Sequence, residues 1–202
     1  MKTKILSSNI RLNYLREKRK YLHSTDIFEK ILFINKDNFL NNLNISFKKP
    51  IFNETQIIIQ NRFSESLKAK SSLYFEYKMN KKQFFGFLIE LKKKLSKRKF
   101  YNEDNIKKKT NFKKNIVNVP SLKEFNFIEL ITGSAMKFLK KKSPEVRSKW
   151  YIAKIHLFTF DYKKLFKINN LSLKIDKIKS TIYNLELYFK KKKIGSMIFI
   201  KT

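Results

Sequence analysis

The 202-residue chain carries 47 Lys and Arg against 16 Asp and Glu, a formal charge of +31, yet it is 42% hydrophobic and 15% aromatic. Apolar content on that scale sustains a buried core, so the charge does not mark a disordered chain. The lack of Cys excludes disulfides, thiolate zinc sites and Cys nucleophiles; Gly86, Gly133 and Gly195 form no phosphate-cradling loop, and His23 and His156 are too few for a three-His metal site.

The first 20 residues are basic and lack the apolar segment of a signal peptide, while their composition leaves a transit peptide open. Residues 26–34 predict a helix, with Ile27, Ile31 and Ile34 on one face and Asp26 and Glu29 near its start. The longest stretch without a charged side chain, residues 38–47, falls well short of the ~20 apolar residues of a membrane span. Residues 45–52 and 55–61 are extended candidates. Residues 1–71 are expected to form a partly helical amino-terminal extension to a domain at 72–202.

That domain opens on an aromatic strand at 73–78. Asn80, with Gln83 three positions on, predicts a capped helix along which Phe84, Leu88, Leu91 and Leu95 share a face. Gly86 within it would cost about 1 kcal/mol relative to Ala. Residues 100–114 read as a basic linker, and 115–119 as a short strand ending at Pro120. Residues 124–131 alternate as a strand, 132–149 form a long basic loop, and 150–160 are a long strand. Ile175, Ile178, Ile182 and Leu185 predict a second helix, with Ser172 as its cap and the cations of 190–193 at its C-terminal end. Residues 194–200 are a buried strand. The order is β-α-β-β-α-β. This α+β pattern is the split βαβ (ferredoxin-like) arrangement, an antiparallel sheet with two helices on one face and a long basic loop.

From residue 72 on, this order resembles the bacterial-type small-subunit ribosomal protein ten family. Val119-Pro120-Ser121 stands where that family has Leu-Pro-Thr, and Tyr151 to Leu157 repeats the aromatic, basic and His spacing of its strand after the long loop. Gly195 to Ile200 is similar to its closing strand. The family's Ser-Pro-His is reduced to Gly133-Ser134-Ala135, and residues 1–71 have no counterpart. The resemblance implies a non-enzymatic constituent of the small-subunit head, bound to ribosomal RNA and to neighbouring head proteins. It implies no cofactor, no small-molecule substrate and no homo-oligomer.

The charge favours a polyanionic partner, nucleic acid first and an anionic membrane surface second. Within the loop Lys137, Lys140, Lys141, Lys142, Arg147 and Lys149 gather the cations expected to meet RNA phosphates, joined by Lys108, Lys113, Lys154 and His156. With only six Arg in the chain, Lys point charges would read backbone shape more than bases. Trp150 is expected in the core. The composition, rich in Lys, Asn, Ile and Phe, suggests an A+T-rich genome and a mitochondrial matrix ribosome. The rival reading is a basic accessory subunit of an organellar membrane complex.

Overall fold

A computed structural model describes residues 11–12, 14–16, 20–35, 39–100, 102–144, 149–161 and 170–202. In chain order the elements are β1 (Arg11–Leu12), β2 (Tyr14–Arg16), α1 (Ser24–Ile34), β3 (Phe39–Phe47), β4 (Asn53–Gln60), α2 (Glu65–Lys70), β5 (Leu73–Met79), β6 (Lys82–Lys94), β7 (Lys97–Lys99), α3 (Glu103–Lys109), β8 (Asn111–Lys113), β9 (Ile116–Asn118), α4 (Phe127–Lys142), β10 (Trp150–Asp161), β11 (Leu171–Lys179), β12 (Ile182–Phe189) and β13 (Lys192–Lys201). Eleven strands form one sheet in the order β1-β4-β6-β5-β3-β10-β13-β12-β11-β9-β8, and β2 pairs with β7 apart from it. Every neighbouring pair in the large sheet is antiparallel. The sheet runs across the expected boundary at residue 72, with β3 between β5 and β10 at its centre.

The two-helix βαβ layout does not hold, and four segments change identity. The helix expected after Asn80 is β6. Asn80 and Lys81 take φ values of 49° and 62° and join Met79 to Lys82 as a two-residue hairpin. Positive φ at both turn positions matches the twist of antiparallel strands. The second expected helix is the β11–β12 hairpin, in which Leu171, Leu173 and Ile175 and then Tyr183, Leu185 and Leu187 alternate into the core. Its supposed cationic end is another two-residue turn, Lys190 at 46° and Lys191 at 67°. Conversely, the strand at 124–131 and most of the loop at 132–149 are α4. Asn126 accepts from the Glu129 N–H at 3.0 Å, and the Glu129 carboxylate accepts from the Asn126 N–H at 2.9 Å, a reciprocal capping box. The supposed linker holds α3 and β8.

All residues from Phe127 to Ala135 are buried. More than two consecutive turns without an exposed position mean that the start of α4 is enclosed on every side. Helix α1, found where the sequence predicts one, packs against it. Each of these helices leads the chain into a central strand, α1 into β3 and α4 into β10, and those two strands pair with each other.

One buried ionic cluster ties the two helix starts together. Arg16, 1% exposed, donates from Nε to both Asp26 oxygens at 2.7 Å and from its terminal nitrogens to Asp26 and Glu129. Asp26 and Glu129 sit in the first turns of α1 and α4, where the helix dipole favours a carboxylate. Burial alone would lower the Arg16 pKa. The Asp26 hydrogen bond and charge, followed by those of Glu129, outweigh burial and raise it, so the guanidinium stays charged.

Candidate functional site: a cavity beside α1 and α4

Where α1 and α4 approach the central strands they leave a cavity of about 380 Å³. The segment entering α1 contributes Tyr21, Leu22, His23 and Ser24, and the β3–β4 connection contributes Lys48 to Ile51. Helix α4 adds Thr132 and Met136, β10 adds Trp150 to Ala153, and the end of β13 adds Phe199 and Ile200. Backbone bonds hold these walls in place. The Leu22 N–H donates to the Ile51 carbonyl at 2.7 Å, and Lys149 and Thr202 exchange bonds of 3.1 and 2.9 Å beside the start of β10.

The lining is mostly apolar and includes two Lys and one His but no Asp or Glu. His23 is the N-cap of α1, in extended conformation at φ −77° and ψ 135°, and its carbonyl accepts from the Asp26 and Ile27 N–H groups. Its Nδ1 lies 2.6 Å from Thr25 Oγ1. At the rim, Lys48 Nζ reaches the Lys68 carbonyl and Ser71 Oγ, and Lys49 pairs with Glu90 at 3.0 Å. Trp150, 7% exposed, packs edge-on to Tyr183 with ring centroids 5.3 Å apart. Its Nε1 and Thr132 Oγ1 are buried without a hydrogen-bond partner, each costing about 1–3 kcal/mol. Among the described residues no three His, Asp or Glu side chains gather as metal ligands. No described helix is long and apolar enough to cross a membrane.

The residues singled out from sequence as RNA ligands do not share one finger. Lys137, Lys140, Lys141 and Lys142 lie on α4. Lys137 Nζ donates to the Thr110 carbonyl at 2.6 Å, Lys141 stands over the Phe112 ring and Lys142 over Phe138. Lys108 is on α3, Lys113 ends β8, and Lys149 precedes β10. Lys154 and His156 are central in the sheet, on the face away from the core, His156 opposite Asn44 and Ser196. Arg147 lies outside the described residues. Residues 21–24 and 48–51, by contrast, carry no motif, and only the fold brings them to Trp150.

Burial and then the nearby Lys193 charge lower the His156 pKa from its ordinary 6.5. The unfolded chain then binds the proton more readily than the folded one, so this group's effect on stability is neutral above that value and unfavourable below it. In urea denaturation, the wild type should lose stability as the pH falls below 6.5, and His156→Gln should flatten that slope. An identical slope in the variant would remove His156 as its source.

No protein-family model matches the chain, and neither does any curated protein. Solved structures similar to it include an acyl-ACP thioesterase from Bacteroides thetaiotaomicron, at 8% identity and a TM-score of 0.44, covering 100% of this chain and 97% of that one. The 12:0-ACP thioesterase from Umbellularia californica is similar at 9% identity and a TM-score of 0.43, over 99% and 94% of the two chains. The dehydratase domain from the CurF module of curacin polyketide synthase follows at 8% and 0.43, over 90% and 84%. At such TM-scores the likeness assigns no activity. The resemblance to the ribosomal family is nevertheless overturned, because helices and strands are exchanged at three places and eleven strands form one antiparallel sheet. The ribosomal function, the RNA and head-protein partners, and the exclusion of an enzyme and of a small-molecule substrate all rested on that resemblance and fall with it.

Proposed function

We propose that the chain binds an amphipathic small molecule, its apolar body inside the cavity and an anionic head toward Lys48, Lys49 and His23. The observation that carries this is the lining itself: a volume of about 380 Å³ walled by Ile27, Phe47, Ile51, Met136, Ile152 and Phe199, with cationic and imidazole groups and no carboxylate. A concave apolar site with a few convergent polar groups is the usual form of a small-molecule pocket. His23 is the wall's candidate for exchanging a proton with that head group, which gives the site chemical as well as binding capacity.

Trp150, the single Trp of the chain, lines the cavity and reports its occupancy. Titration with a medium-chain alkyl carboxylate should change Trp150 fluorescence saturably, and an alkylamine of equal length should not. Ala153→Phe, which fills the lining from β10, should weaken the apparent affinity at least about tenfold, the loss of roughly 1.4 kcal/mol of contact. No saturable response to any apolar acid by folded protein would refute the proposal.

A further inference from the structure

The connection between β3 and β4 holds a bare aromatic residue in a rigid frame. The Phe52 N–H donates to Glu90 Oε2 at 3.2 Å, and its carbonyl accepts from the Leu95 N–H at 3.4 Å. The preceding Ile51 is buried and bonded to Leu22. With both backbone groups of Phe52 engaged, the side chain is still 52% exposed. Leaving so large an apolar group in water forgoes much of the 1.5–3 kcal/mol that full burial gives. Lys49, Pro50 and Lys92 share a shallow hollow with Phe52, and Lys49 and Pro50 also line the cavity. The exposed ring, its flanking cations and the cavity wall are therefore one continuous piece of surface.

We propose that this connection is a docking element for an anionic lipid surface, with Phe52 entering the headgroup–acyl boundary while Lys49 and Lys92 face lipid phosphates. This rests on the ligand-binding reading in one respect: an amphipathic acid partitions into a bilayer, and an element at the cavity wall would place the site beside its source. An aromatic residue flanked by cations suits an interface in which apolar and anionic layers lie a few ångströms apart. The pairing of Lys49 with Glu90 reduces the local charge, whereas Lys92 has no carboxylate within ion-pair distance among the described residues. The formal charge of +31 draws the whole chain to such a surface, and Phe52 sets its orientation.

The test is co-sedimentation of the full chain with phosphatidylcholine vesicles, with and without phosphatidylglycerol. Binding should require phosphatidylglycerol and fall with salt. Lys92→Glu should weaken it by about fivefold or more, and Phe52→Ser by about tenfold. Both positions are exposed, so the urea unfolding midpoints of the two variants should match the wild type and certify their folding. Vesicle binding indifferent to Phe52 would overturn the proposal, as would binding to an RNA homopolymer that depends on Phe52 and is not displaced by phosphatidylglycerol vesicles. Loss of the Trp150 response with Phe52-dependent vesicle binding intact would instead fault the cavity reading alone.

Discussion

Arg16→Met should cost about 3–5 kcal/mol of folding stability, measured by urea denaturation at neutral pH. The substitution keeps an unbranched apolar stem but takes the cation away from the Asp26 and Glu129 carboxylates at a site where Arg16 itself is 1% exposed. Desolvated charge, more than lost attraction, sets the size of the effect. Adding Asp26→Asn and Glu129→Gln should therefore return more than half of the loss, although the cluster is then gone. The three sites are in direct contact, so the single-variant costs should not add. A loss below about 1 kcal/mol for Arg16→Met, within the ordinary run of substitutions, would show that water or protons neutralise the two carboxylates.

Gly86→Val should cost about 3 kcal/mol, the upper part of the range for overpacking a core. Gly86 stands opposite Phe75 in the β5–β6 pair, and a Cβ added there would lie 2.0 Å from the tip of the Phe75 ring. The ring covers the bare backbone of the neighbouring strand, a device that recovers packing that a strand glycine gives up. It cannot swing aside, because Phe75 is fully buried and stacks on Tyr77, which stacks on Phe84. Phe75→Ala alone should cost about 3–5 kcal/mol by opening a cavity. The double variant should cost less than the sum, since the Val side chain then enters the space the ring left. Strict additivity in denaturant titrations would mean that the two residues do not share that space.

Two similar local signatures had opposite outcomes. Asn80 with Gln83 and Asn126 with Glu129 both carry the residue types of a capping box. Only the second starts a helix; the first Asn is the left-handed corner of a hairpin. Residues 82–95 satisfy a helical stripe through Phe84, Leu88, Leu91 and Leu95, but Phe84, Phe85, Phe87 and Ile89 favour a strand equally well. Another hairpin corner, Lys190-Lys191, lacks the Gly or Asn that marks such turns and instead resembles the cationic end of a helix.

The composition alone determined the net charge, the absence of thiol chemistry and a core-forming apolar content. Alternation placed strands at 73–78 and 150–160, a nearly continuous apolar run placed one at 194–200, and helical spacing placed α1; β5, β10, β13 and α1 are found there. Those segments are legible because one periodicity dominates each of them. Tertiary structure decided the rest. Short apolar runs fit both periods until partner strands claim their backbone groups, and α4 is stable in a sequence that also alternates because the core surrounds it. The cavity is the extreme case, since its walls come from residues 21 to 202 and no local pattern unites them. Long-range packing, which carries no short-range signal, is what assembles it.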